Sequence, residues 1–336
     1  MNLKAALFWS CVLVAAPWKS VKSVESASEP LAMALDQCER GDYQAAIGTL
    51  SSAITESPQD ARLYEWRSRC YMEQKDYALA ISDGERAVSE RPANSEYRRW
   101  LGRAYGGAAE RARSFSLAKK VRRTFEEAVR LDPSNLAARR DLEEFYLEAP
   151  WIVGGNSHKA LDQVEAIAAI DAVAGHLARA AYSRHEKRLD EAEADYEHAL
   201  ALRPGQVDPY LEVANFYEDR RDADKFASVI EQAARVGPSD RRLPYYRGVA
   251  LVLSNRNLAD ADRLLRTYVA TAPRRSDLPS HADAHVWLGR LNQRLGNMKA
   301  AADEYHAAHV LDPDQKPARE ALRSLEAAGR QSGSRP

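Results

Sequence analysis

From about residue 31 onward one hydrophobic pattern recurs along the chain: apolar or small side chains three and four positions apart, then a short polar turn, then the same spacing again. Tyr64, Ser68 and Tyr71 mark one stripe, and Ala80, Gly84 and Ala87 mark the next, with Asp76-Tyr77 at the turn between them. Such stripes predict amphipathic helices that meet in pairs as antiparallel hairpins. Prolines close the second run of most pairs, at Pro58, Pro92, Pro133, Pro204, Pro238, Pro273 and Pro313. Their separations are 34, 41, 71, 34, 35 and 40 residues: one period of 34, that period with a short insertion, or about two periods. A 34-residue helix-turn-helix period predicts an all-α repeat array, whereas length alone would suggest about two globular domains. Small residues stand where paired helices approach most closely, Gly102 and Gly289 in first helices and Ala53, Ala87, Ala128, Ala199, Ala233 and Ala308 in second helices. Tyr43, Tyr77, Tyr105, Tyr146 and Tyr217 are expected to fill gaps between helices, and Ser95, Ser157 and Asp208 to cap helix starts.

Two units carry the pattern in full: Tyr64, Arg67, Ser68, Tyr71, Asp76, Tyr77, Ala80, Gly84, Ala87 and Pro92, then Leu288, Gly289, Gly296, Ala301, Tyr305, Ala308 and Pro313. With Gly41-Asp42-Tyr43 and Trp100-Leu101-Gly102, these residues resemble the tetratricopeptide repeat family. The resemblance implies an all-α, right-handed superhelical solenoid whose first helices line a concave groove. About eight units are expected over residues 27–313, then a capping helix over 314–328 and a disordered tail over 329–336. Ile167 and Tyr268 stand where the family has Ala, which blurs the fourth and seventh units. The third unit has a seven-residue excess in Gly106–Ala118, and the fourth about five extra residues from Glu148 to Asn156. Together these insertions look like a subgroup of exported bacterial tetratricopeptide proteins.

The first residues fall outside the repeat. Lys4 precedes an apolar run from Ala5 to Ala16 with no acid before Glu25, which reads as a secretory signal peptide too short to span a membrane. Cleavage could follow Ala16 or Ser23, so residues 1–23 are assigned to the signal and the mature chain to the periplasm or the exterior, with no transmembrane span. A mitochondrial transit peptide fits less well, because the segment has no Arg. Cys11 lacks the small-residue box of a lipoprotein. Removal of the leader would leave Cys38 and Cys70 on successive predicted helices, where two buried thiols or one bridge are both open.

Composition narrows function. Lys and Arg total 48 against 49 Asp and Glu, which excludes a globally basic nucleic-acid binder. Nucleophile elbows, zinc-protease helices, phosphate loops and Cys-x-x-Cys pairs are all absent from the sequence, and Gly154-Gly155 reads as a turn. We therefore expect no enzyme and no cofactor. His281, His285, His306 and His309 crowd the eighth unit, but their repeat positions argue for packing and surface roles over metal ligation. From Arg98 to Arg123 nine Lys and Arg face one acid, Glu110: a solvated face, or contact with an anionic partner or surface. Trp151-Ile152-Val153 sits in a predicted turn and either tucks onto a neighbour or meets a partner.

The expected function is non-catalytic: an adaptor or scaffold of the cell envelope holding a peptide or partner protein in the groove. Repeat position nominates Arg62, Arg69, Arg99, Arg103, Arg140, Asn215, Tyr246 and Arg290 as contacts, with Trp151 from the loop. A C-terminal carboxylate clamp is disfavoured, because Leu31, Leu35, Glu65 and Arg69 occupy the places of the family's Asn and Lys. The alternative is a structural envelope component that associates with itself or an anionic surface through residues 98–123.

Overall fold

A computed structural model of the chain describes residues 28–332. The expected signal segment, and the last four residues of the expected tail, lie outside them. The described residues form α1 Glu29–Glu39, α2 Tyr43–Glu56, α3 Ala61–Glu73, α4 Tyr77–Glu90, α5 Ser95–Ala112, α6 Phe115–Leu131, α7 Leu136–Glu148, α8 Ser157–Ala168, α9 Ala172–His185 and α10 Leu189–Ala201. After these come α11 Asp208–Asp219, α12 Ala223–Val236, α13 Leu243–Ser254, α14 Leu258–Thr271, α15 His281–Arg294, α16 Met298–Leu311 and α17 Lys316–Ser332. The last helix continues through 329–332, residues the sequence reading placed in a disordered tail. Among the described residues there is no strand.

Two compact units result, residues 28–202 with α1–α10 and residues 203–332 with α11–α17. Within each, odd-numbered helices pair with the even-numbered helix that follows, and α17 packs on α16. In the first unit α1, α3, α5, α7 and α9 also touch one another in series, whereas second helices make no comparable contact among themselves. First helices therefore line the inner side of that unit.

Helix boundaries follow from local chemistry. Asp42, Asp76, Asn94, Ser114, Asn135, Asn156, Asp171, Asp222 and Ser280 each accept a hydrogen bond from a backbone N–H of the first turn. The caps expected at Ser95 and Ser157 are displaced by one residue, because Asn94 and Asn156 ahead of them reach the free donors first. Ser95 instead donates its hydroxyl to the Ala128 carbonyl, tying α5 to α6. Asp208 is likewise the first helical residue of α11, and Val207 before it offers no side-chain cap. Each of the seven repeat prolines falls two or three residues beyond a second helix. The turn inside each hairpin uses a left-handed residue: glycine at Gly41, Gly154 and Gly296, but Lys75, Arg113, Lys187 and Arg221 in four others, and both Asn255 and Asn257 between α13 and α14.

The insertions resolve differently. The excess in the third unit lengthens α5 and α6 to 18 and 17 residues, joined by Arg113 at φ 48° and Ser114. That of the fourth unit makes a tight turn. Trp151–Val153 form one 3-10 turn, Gly154 takes φ 113°, and a Cβ on Gly155 would lie 1.7 Å from the Ala149 carbonyl oxygen. Geometry of the turn accounts for both glycines. Ile167 and Tyr268 are buried in their second helices, the Tyr268 hydroxyl donating to the Pro279 carbonyl across the longer connection that follows α14.

Aromatic rings of second helices press onto glycines of first helices. A Cβ on Gly102 would stand 2.4 Å from the Phe125 ring, and one on Gly289 would stand 2.5 Å from Tyr305. Gly48, in the middle of α2, has nothing within 4 Å of that position. Gly102→Val is therefore expected to destabilise the third hairpin by about 1–3 kcal/mol, and Gly48→Ala to stabilise the first by about 0.5–1 kcal/mol, both read from hydrogen exchange of hairpin amides.

Candidate binding face on the first helices

The inner side of the first unit is built from α3, α5 and α7, where spacing of three and four residues brings charged and aromatic side chains onto one face. Trp66 and Trp100 hold the Arg69 guanidinium between them, 4.2 Å and 3.9 Å from the two ring centroids. Arg69 also pairs with Glu65 one turn earlier. On α5, Glu96 accepts from the Arg99 Nε and Nη2 at 3.0 Å and 2.8 Å, and from the Trp100 Nε1 at 2.8 Å. Asp141 of α7 closes the lattice. It accepts a bidentate pair from Arg103 at 2.6 Å and 2.8 Å, and a third bond from the Arg99 Nη1 at 3.0 Å. Arg69, Arg99, Arg103, Glu65 and Asp141 are all buried, with Glu96 at the rim.

Three guanidiniums face three carboxylates, so the face balances its own charge. Burial pushes the Glu65 carboxyl up to about 7, despite Arg69 beside it. Burial also opposes ionisation of Glu96, but the hydrogen bonds and charge of Arg99, with Arg69 and Trp100 behind it, hold its carboxyl down to about 2. Asp141 is likewise held low, because Arg103 and Arg99 outweigh its burial. Glu144, half-buried on α7, lacks such partners: burial and the neighbouring Asp141 charge push it up to about 8. Burial raises the Tyr97 hydroxyl to about 12, which keeps it a neutral donor.

Of the residues the sequence nominated, Arg69, Arg99 and Arg103 are thus brought together, but their guanidiniums are spent inside the chain. An incoming group meets there a floor whose guanidiniums already bond Glu96 and Asp141. Two of the nine basic side chains between 98 and 123 are consumed in this way, while Arg111, Arg113, Lys119, Lys120 and Arg123 stay exposed. Arg62 turns back on Asp60 at 2.7 Å at the start of α3, apart from the lattice. Arg140 stays partly accessible beside Glu143 at 3.6 Å. Trp151 is 84% exposed and Ile152 half exposed, whereas Val153 is buried: the turn tucks one residue and presents two.

The remaining three nominees lie in the second unit. The Tyr246 hydroxyl donates to Asn215 at 3.0 Å, and Arg290 stacks on Trp287 at 4.3 Å. Glu218 hydrogen-bonds with Trp287, and burial pushes its carboxyl up to about 7. The sequence reading missed Trp66, Trp100, Glu65, Glu96 and Asp141. A signal was present in the spacing Glu65-Arg69 and Glu96-Arg99-Trp100-Arg103, but nothing local tied α5 to Asp141, about forty residues away.

The histidine quartet of the eighth unit does not converge. His281 contacts the Ala272 carbonyl at 3.0 Å, His285 pairs with Glu304 at 2.7 Å, and His306 is exposed. Among the described residues a different group, His176, Asp195 and His198 on α9 and α10, has one ligand atom each within 4.8 Å of the others. His176 Nδ1 is already 2.8 Å from Asp195, and Arg179 approaches the same carboxylate at 3.9 Å. A metal there would displace both.

The tetratricopeptide repeat family model matches residues 31–95 and 251–316. These stretches are tetratricopeptide repeats. Two solved structures agree in fold. A chain of yeast Tom70 superimposes with TM-score 0.64 at 15% identity, over 95% of this chain and 68% of that one. A chain of the APC/C hetero-tetramer Cut9-Hcn1 gives 0.51 at 13% identity, over 91% and 57%. The present chain thus spans a little over half the length of the latter. A tetratricopeptide repeat protein from Parabacteroides merdae gives 0.45 at 15% identity, over 89% and 98%. No curated protein matches the chain. The repeats place the chain among protein-interaction scaffolds, and no helix among the described residues is long and apolar enough to cross a membrane.

Two outcomes are expected. Asp141→Asn leaves Arg99 with Glu96 alone and removes the carboxylate that Arg103 is paired with, and should lower the local stability of α5 and α7 by about 3–5 kcal/mol, read by hydrogen exchange. Glu144 has a folded carboxyl value of about 8 against 4.5 when unfolded. The folded state therefore holds its proton longer, and the contribution of Glu144 to stability is lost as pH rises through that window. Glu144→Gln should melt progressively higher relative to the parent between pH 4.5 and about 8. A constant difference across that range would show an ordinary carboxylate.

Proposed function

We propose that the chain is an exported, non-catalytic adaptor of the cell envelope that holds a peptide segment of a partner protein against its first-helix face. The observation that carries this reading is the lattice of Trp66, Arg69, Trp100, Arg103 and Asp141. A repeat core needs only packed apolar side chains, and an internally paired set of ions contributes little net stability over such packing. Six charged groups and two tryptophans on the inner side make better sense as a pre-organised floor, whose side chains lose no further freedom when a ligand arrives. Around it the accessible groups suit a peptide backbone and its side chains: the Tyr97 hydroxyl, Arg62, Arg140, the Glu96 rim and protonated Glu144. Trp151 and Ile152 supply an apolar contact at the turn. One structural neighbour was crystallised in a hetero-tetramer, in keeping with a role in assembly. The leader supports export.

A photo-cross-linking residue at Tyr97 tests the reading in intact cells, against the same residue at Arg130, which is exposed on the second helix α6. A single partner band at position 97, absent at 130 and recovered with the periplasmic fraction, is expected. Equal labelling at both positions sinks the groove, and recovery in the cytoplasm sinks the envelope assignment. Trp151→Ala should reduce that band about tenfold, the scale of one apolar anchor, with an unchanged melting temperature.

A further inference from the structure

Cys38 of α1 and Cys70 of α3 are both fully buried, in one apolar cluster with Leu31, Ala46 and Leu50. Their Sγ atoms are 2.9 Å apart. Even smaller carbon atoms rest about 3.5–4.0 Å apart when unbonded. The gap exceeds a bonded S–S length of roughly 2.05 Å by only about 0.9 Å, which small side-chain rotations close. We propose that Cys38 and Cys70 form an intrachain disulfide that staples the first helical hairpin to the second.

The position gives the bond a purpose. α1 packs on α2 and α3, so a bond from α1 to α3 ties the first hairpin directly to the second and opposes its fraying. The two cysteines are 32 positions apart, and a cross-link over that span removes much chain freedom from the frayed state. It also anchors α3, which carries Glu65, Trp66 and Arg69 of the inner face.

The chemistry balances by thiol–disulfide exchange. One cysteine thiolate attacks a small-molecule or enzyme disulfide and releases a thiol, leaving a mixed disulfide on the chain. The second thiolate then attacks the chain sulfur, forms the Sγ–Sγ bond and releases the second thiol. Two protons and two electrons pass to the oxidant. Burial sets the timing. The close contact with Cys38, and then burial, push the Cys70 thiol well up, so Cys70 in the folded chain offers little thiolate, and both sulfurs are shut away from reagents. Oxidation therefore belongs to the open chain, before α1 docks, and the finished bond is shielded from reductants. Supply of the oxidant in the cell rests on the export reading; formation of the bond does not.

The test uses the full chain carrying Cys11→Ser, so that Cys38 and Cys70 are its sole cysteines. The protein is refolded in a glutathione redox buffer, quenched with acid, unfolded in urea and titrated for thiols, then digested without reduction for mass spectrometry. No free thiol, a Cys38–Cys70 cross-linked peptide, and an unfolding midpoint on the order of 5–10 °C above that of the same protein kept reduced are expected. A double Cys38→Ala, Cys70→Ala variant should not respond to reductant. Two free thiols at equilibrium with oxidised glutathione, a bridge between chains, or an intrachain bridge that fails to raise the midpoint would each overturn the proposal.

Discussion

In the third and eighth hairpins a ring on the second helix lies against a backbone without a side chain on the first. Phe125 over Gly102 and Tyr305 over Gly289 are the clearest cases, each within contact distance of a Cβ that is not there. That approach sets the distance between paired helices and hence the rotation from one hairpin to the next. The register of first helices along the inner side follows from it. So does the meeting of α3, α5 and α7, because Asp141 can reach Arg99 and Arg103 only if the third and fourth hairpins stack closely.

The inner face then presents a problem in electrostatics and its solution. Three guanidiniums and three carboxylates removed from water would be costly unless each found a partner. Arg69 lies between two indole faces and pairs with Glu65, though its buried Nε has no hydrogen-bond partner, Arg99 is held by two acids, and Arg103 by a bidentate carboxylate. The acids divide accordingly. Glu96 and Asp141 are held ionised by their guanidinium partners, whereas burial outweighs Arg69 at Glu65 and meets no such partner at Glu144, so both of these carboxyls are pushed up. An inner face of this kind is rigid and close to neutral, a surface suited to recognising shape and hydrogen-bond pattern in a partner more than net charge.

Much of this was legible in the chain. The 34-residue spacing of prolines, the small residues at close approaches and the polar turns announced paired helices, because helix periodicity and chain reversal are local properties. Helix starts were legible to within a residue: Ser95 and Ser157 looked like caps, and Asn94 and Asn156 outcompeted them by standing one position earlier with extended backbone. The insertion of the fourth unit was legible as a turn and is one, with Trp151 exposed on it, whereas the excess of the third unit went into longer helices. The candidate contacts fared less evenly. Position within the repeat placed Arg69, Arg99 and Arg103 on the inner face, yet nothing local in the sequence paired Arg99 and Arg103 with Asp141.

By itself the sequence determined what each helix is, where it ends, which stripe it buries and that the helices pair as repeats. Tertiary structure alone decided which charges are free. The reason is range: a helical stripe is set by neighbours three or four residues away, whereas the fate of a guanidinium depends on whichever carboxylate the stacking brings to it. Arg103 and Asp141 are 38 residues apart in the chain and 2.6 Å apart in space.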